Sequence, residues 1–587
     1  MKTFKKIMAA MMAMIMMTGC SNSNTVKYDQ TFDTKNYKDF ITIGNDVNSF
    51  NYLASHLAVN LVLAQNLNDG LVETDKYGNI VGQLATDWKT DDYQTWTFNL
   101  KKGVKWSDSE GKVVGEVKAD DFVYAIEYIL NPKNGVTSNL HFAYLLDGAK
   151  EYYDQMNATG SADFSKVGVK AIDDYTVQYK CTTPMFYFLS ALTYTSFKPA
   201  SRAFVTSIEQ KDGLSGEERF GTTKDLIWYC GPYILDDFIL DTEKTLVKNE
   251  NYHDIDNVTF DTVKILAIKD NESALEYFER GELSRAPLSA VQVKSQQDKN
   301  SPYLIQMPLS SSTYGLLLNN QGAYEGAEDT NKAVNNENFR KSLMYGIDSD
   351  AYNEVTILGD VQAVRATTVT AEDYIYTEDG VDYTQLGKLK DWANADYLYD
   401  PDKAVDYKNK AMKELKAEGV TFPIKFVNVY AAGNETEAQK AAILEDCLEN
   451  TLGEDYIDVV NETYATNWFS EVMATNDYTV YVRGWGPDFK DPSNILGVWQ
   501  SNSGQMNDLV MHYNIPEFDT MYEKANAIYD DVTKRYEAFA ECEVYLLDHA
   551  YYIPVVTNGG SYQVTTVNLY SKAYTKGDSQ RYTGWEV

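Results

Sequence analysis

Residues 96–112 read WTFNLKKGVKWSDSEGK and, four residues on, 117–130 read VKADDFVYAIEYIL. The first of these opens on a strand-like run, 95–100, rich in aromatic and β-branched residues. In the second, Phe122, Ala125, Ile126, Ile129 and Leu130 recur at helical spacing behind Ala119-Asp120-Asp121, so an acidic first turn caps an amphipathic helix. Working outward, strand-like segments recur at 40–44, 176–180, 244–248, 262–268, 314–319, 424–430 and 478–483, with helical patterns between many of them. This interleaving predicts the α/β class. The helix expected at 435–451, set between the strands 424–430 and 478–483, predicts a βα unit of a layered lobe.

The chain has 587 residues, enough at roughly 150 per domain for about three or four structural units. Pro302 and Pro308 bracket a short stretch before YGLLLNN, and Pro554 sits in YYIPVVTN. Prolines hold the chain extended at such points, which predicts crossings between lobes near 305 and near 555, with a hinge between them. No repeat of 20 to 50 residues is visible, so a solenoid is not expected.

Charge excludes two partner classes. With 52 Lys+Arg against 86 Asp+Glu, the formal charge is -34. Nucleic acid and anionic lipid draw much of their affinity from Lys and Arg, so neither is expected as a partner. A hydrophobic fraction of 44% is that of a chain that buries a core. The 45 tyrosines suit a wet binding surface, each offering an apolar face and a hydroxyl.

Residues 1–19 carry Lys2, Lys5 and Lys6 ahead of an uncharged, Met-rich stretch at 7–17. That stretch is too short for a membrane span, which needs about 20 apolar residues, and reads as a secretory signal. Met17-Thr18-Gly19-Cys20 resembles the bacterial lipobox, whose Cys receives diacylglycerol, so Cys20 is the expected lipidation site. The polar segment after it, to residue 38, reads as a tether. Removing the leader takes three lysines with it, so the acidity belongs to the mature chain. Cys181, Cys230, Cys447 and Cys542 form no CxxC pair and match no zinc spacing; buried thiols are the favoured reading, with a disulfide open.

Catalytic patterns are scarce. None of His56, His141, His253, His512 and His549 sits in HExxH. There is no GxSxG elbow and no GxxxxGK loop, and Ser109-Glu110-Gly111-Lys112 matches SxxK without the companion motifs of a penicillin-binding enzyme. Carboxylate pairs are too frequent in so acidic a chain to mark a glycosidase. No catalysis, metal or cofactor is expected.

Eight blocks in order resemble the oligopeptide-binding lipoproteins of ABC importers, the peptide-binding class of family 5 extracellular solute-binding proteins. They are 96–112, 117–130, CGPYILDDF at 230–238, KNENYHD at 248–254, NFRKSLMYGIDSDAY at 338–352, GWGPDFKDPSNIL at 484–496, 513–531 and LLDHAYYIPVV at 546–556. The resemblance implies a two-lobed, periplasmic-binding-protein-like α/β fold. Lobe I would comprise 39–75, 200–305 and 555–587, with an extra subdomain at 76–199; lobe II would be 306–554. Ligand would lie in a cleft closed by hinge bending.

In that family the acidic residue two places after GWG pairs with the ligand α-ammonium, and Gly484-Trp485-Gly486-Pro487-Asp488 puts Asp488 there. Such a pair at about 4 Å is worth on the order of 4 kcal/mol before desolvation, at an effective dielectric of 20. The alternative for Asp488 is to cap a turn beside Pro487 and Asp491-Pro492. The resemblance also implies Trp485, Gly486 and Trp499 at the cleft, Arg483 near a ligand carboxylate, and His141 or Tyr144 near the peptide backbone. Its further implications are oligopeptides as ligands, ABC permease subunits as partners, a monomer on the outer face of a Gram-positive cell membrane, and contact with that membrane by the lipid anchor alone. An oligosaccharide as ligand, and a surface hydrolase or sensory lipoprotein, stay open as alternatives.

Overall fold

The computed structural model describes residues 38–569, apart from 45–46, 48, 55–57, 76–77, 137–138, 269 and 358–360. The leader, Cys20, nearly all of the tether and the tail beyond 569 lie outside the described residues.

The N-terminal lobe is built on a four-stranded sheet in the order Asp39–Ile43, Thr262–Leu266, Glu243–Lys248, Tyr233–Ile239, its first pair parallel and the others antiparallel. The extra subdomain has its own antiparallel sheet, Ala85–Lys89, Thr95–Leu100, Thr176–Lys180 and Val169–Asp173 in that spatial order. A single apolar core runs through both, from Phe40 and Val263 to Phe98 and Tyr179. The helix Ala119–Ile129 lies in that core with Phe122, Ile126 and Ile129 fully buried. Lys118 is its N-cap, and Asp121, three residues on, closes the first turn with a carboxylate that accepts from the Lys118 backbone N–H (2.9 Å) and from Trp106 Nε1 (3.0 Å). Burial pushes this carboxyl up to about 6, against those two donors.

The larger lobe carries a five-stranded sheet in the order Ile457–Tyr464, Ile424–Ala431, Val480–Arg483, Leu309–Leu318, Ile553–Gly559. The helix Glu435–Leu452 returns the chain to Ile457–Tyr464, which pairs parallel with Ile424–Ala431 from Ile424↔Ile457 to Ala431↔Tyr464. The βα unit therefore closes on a strand that the sequence reading passed over, and Val480–Arg483 lies on the other side of Ile424–Ala431. Strand 457–464 was hidden because it is a sheet edge: Asp458, Glu462 and Thr463 are exposed, which breaks the apolar pattern.

Leu304–Gln306 pairs with Tyr562–Thr565 in a small sheet of the N-terminal lobe, whereas Leu309–Leu318 and Ile553–Gly559 belong to the larger one. The chain thus changes lobes at 307–308 and again at 560–561. The two crossings run side by side, with Met307 N–H donating to the Ser561 carbonyl (2.9 Å) and Gly560 N–H to that of Pro308 (3.2 Å). Gly559 and Gly560 both have positive φ, and a Cβ at Gly559 would lie 2.7 Å from the Pro308 carbonyl. The division expected at 554/555 falls inside a strand. Pro554 is tolerated there because its strand is an edge and the register shifts between Tyr314 and Gly315 opposite it.

The four cysteines at 181, 230, 447 and 542 are free thiols, all buried but the half-buried Cys447. Among the described residues no helix is long and apolar enough to cross a membrane, and no group of three His, Cys, Asp or Glu could hold a metal.

Candidate functional site

Between the lobes lies a cavity of about 780 Å³. Ser190 and Thr193 reach it from the subdomain; Ser310, Thr367, Tyr374 and Asp488 line it from the larger lobe. The loop carrying Asp488 leaves the sheet at Gly484, where the strand Val480–Arg483 ends. A Cβ on Gly484 would sit 1.7 Å from the Thr313 carbonyl oxygen, so only glycine lets the loop leave at this point. Gly484→Ala should cost roughly 3 kcal/mol or more of stability, read as a lower unfolding midpoint, because the neighbour to be displaced is backbone.

Beyond Gly484 the loop is held by its own side chains. Asp491 caps the short helix Pro492–Leu496, accepting from Ser493 N–H (3.0 Å). Asp491 also pairs with Arg535 of the helix Val532–Asp548, at 2.9 Å (Nη2 to Oδ1) and 3.1 Å (Nε to Oδ2). The capping role that was open to Asp488 thus falls to Asp491. Asn494 fixes Asp488: its Oδ1 accepts from the Asp488 N–H (2.7 Å) and Trp485 Nε1 (3.4 Å), and its Nδ2 donates to Asp488 Oδ2 (3.4 Å). The Asp488 side chain is left 14% exposed, with Oδ2 3.8 Å from His141 Nε2 of the opposite lobe. A carboxylate so placed, lining a cavity and largely desolvated, suits a cation brought by a ligand.

The other residues singled out from the sequence scatter. Trp485 is half-buried against the larger lobe's core, and Gly486 is exposed with open space around it. Arg483 is exposed at the end of the sheet's central strand, its guanidinium 5.7 Å from the Tyr314 ring centre, and lines neither this cavity nor the smaller one beside it. Trp499 is not at the cleft: it is 2% exposed in the core, its ring 5.3 Å from Tyr552, because the turn after Pro492–Leu496 points it inward. Tyr144 packs edge-on against Tyr153 (5.9 Å) and lines neither cavity. His141 lines the smaller cavity.

Sequence reasoning missed Asn494, although it sits in the quoted block, and the whole wall formed by 362–374. That wall is irregular backbone held from behind by the buried Glu543, which accepts from Val369 N–H (2.7 Å), Thr370 N–H (2.9 Å) and Thr370 Oγ1 (2.7 Å). Burial raises the Glu543 carboxyl above its ordinary range, although the Thr370 and Val369 donors oppose the shift.

This arrangement, two α/β lobes joined by paired crossings around a polar cavity, defines a solute-binding protein. The family described as bacterial extracellular solute-binding proteins, family 5, matches residues 79–507, and the chain belongs to it. Oligopeptide-binding protein AliB of Streptococcus pneumoniae is 29% identical over 97% of this chain and 91% of its own. Among solved structures, Listeria monocytogenes OppA bound to peptide superposes with a TM-score of 0.72 at 22% identity, covering 94% of this chain and all (100%) of that one. The substrate-binding domain of an oligopeptide ABC transporter from Bacillus anthracis gives 0.74 at 21% identity, covering 94% and 99%.

Proposed function

We propose that this chain is an extracytoplasmic receptor that captures oligopeptides in the interlobe cavity and delivers them to an ABC permease. The observation that carries the reading is Asp488, a carboxylate held by Asn494 at the cavity wall and 14% exposed, where a peptide α-ammonium would find its partner. Serine and threonine hydroxyls around the cavity, from Ser190, Thr193, Ser310 and Thr367, suit a ligand held through its backbone and through water, which admits varied side chains. Asp488 makes up the ammonium end, with His141 of the facing lobe 3.8 Å from its Oδ2. The role needs no catalysis and no cofactor, and Cys20 would carry the lipid that keeps a monomeric receptor at the membrane.

Thermal-shift measurements with a peptide library and a glycan library test the reading. A ligand that binds only the folded state raises the midpoint according to its concentration over Kd. Protection by peptides, recovered intact after long incubation, is the expected result. Protection by glycans alone, or cleaved peptide, would overturn it.

A further inference from the structure

Two cavities lie between the lobes, one on each side of the loop 487–490. The larger, about 780 Å³, is lined by Asp488 and Lys490 and, from the facing lobe, by Ser190. The smaller, about 400 Å³, is lined by Phe489 and, from the facing lobe, by Tyr187 and Thr182. Along both contacting segments, residues close in sequence therefore face opposite cavities. What separates the two is the contact itself. The rings of Phe489 and Tyr187 stack at 4.7 Å and 6°, with Phe142 edge-on to Phe489 at 6.4 Å. Beside the stack, Lys490 N–H donates to Ser190 Oγ (2.9 Å) and Lys490 Nζ to the Gly78 carbonyl (3.2 Å). Phe489, from the larger lobe, is 7% exposed within the core of the other.

We propose that the Phe489–Tyr187 stack is a wall that stops a bound peptide at its N-terminus, and that these two residues set the receptor's preference for a free α-amino group. The proposal rests on Asp488 as the ammonium partner. A peptide whose α-nitrogen sits on Asp488 has the partition beside it along the loop, where Phe489 follows Asp488 and lines the smaller cavity with Tyr187. An α-ammonium ends there, whereas an acyl group or a further residue meets packed rings. Asp488 stands at the edge of the partition, because His141, which lines the smaller cavity, comes within 3.8 Å of its Oδ2. With either ring removed, the two cavities join. The smaller one, whose lining includes Thr182 and Asn494, then offers hydrogen-bonding groups to an extended N-terminal segment.

The test is calorimetric titration of three peptides sharing one core sequence, with a free N-terminus, an N-acetyl group, or an N-acetyl-Gly-Gly extension. The wild type should prefer the free peptide. Phe489→Ala and Tyr187→Ala should each narrow the preference over the extended peptide by about 10-fold or more, through a gain for the extended peptide, as expected when a steric exclusion is lifted. Phe489→Tyr, which keeps the wall, should behave as the wild type. Because the two alanine variants alter opposite lobes, a folding defect in one leaves the other to answer. An unchanged ratio, with all peptides weakened in parallel, would make the stack a lobe contact only and overturn the proposal. Asp488→Asn separates the two readings. If it leaves the preference for free peptides intact, the ammonium site fails and the wall with it. If it abolishes that preference while Phe489→Ala still excludes the extended peptide, the wall alone fails.

Discussion

Asp488→Asn should weaken peptides with free N-termini by about 10- to 100-fold and N-acetylated peptides far less. A hydrogen bond to a charged group contributes about 1.5–3 kcal/mol net, which is one to two decades of affinity. Asparagine preserves the shape of the side chain, and the Asp488 backbone N–H still reaches Asn494. What is lost is the charge, in a setting where a 14% exposed side chain is poorly screened by solvent. Titration of matched free and acetylated peptides reads this directly, and equal losses for the two would contradict the ammonium role.

Arg535→Met should lower the stability of the larger lobe by about 3–5 kcal/mol, since it strands the Asp491 carboxylate in the interior. The side chains are 4% and 1% exposed, and Arg535 Nη1 also donates to the Asn526 (2.9 Å) and Ile528 (3.1 Å) carbonyls, which lose that donor as well. Replacing both partners, as Asp491→Leu with Arg535→Met, should recover much of the loss, because no charge is then left buried. Denaturant unfolding followed by tryptophan fluorescence measures this, Trp468 and Trp499 both lying in the affected core. The pair also pins the loop three residues beyond Asp488. Arg535→Met should therefore weaken free and acetylated peptides alike, a pattern distinct from that of Asp488→Asn.

Local signals were the legible ones. Strands 95–100 and 176–180 lie at the ends read from the sequence, and the helix Glu435–Leu452 begins at the residue expected, where Asn434 caps it through Glu437 N–H (3.1 Å). Each announces itself within its own segment by composition or by a cap. Strand 457–464 did not, because none of its residues beyond Val459 is buried and the apolar alternation stops there. The sequence sets the second crossing six residues early because Pro554 reads as a break, whereas an edge strand beside a register shift has no need of its missing N–H. The same division holds at the site. Asp488 could be located because GWGPD is a contiguous motif, and Trp499 could not be placed, since whether an indole faces core or cleft depends on a turn that no periodicity reveals. The wall at 362–374 and its support by Glu543 join residues more than 170 positions apart, and no pattern within either segment announces such a contact.

The most direct test is a crystal structure of the protein purified without stripping its ligand, or soaked with a short peptide carrying a free N-terminus. The expected result is an extended peptide between the lobes with its α-nitrogen within hydrogen-bonding distance of the Asp488 carboxylate. A peptide lying with its carboxylate end at Asp488, or a ligand of another chemistry filling the cavity, would contradict it.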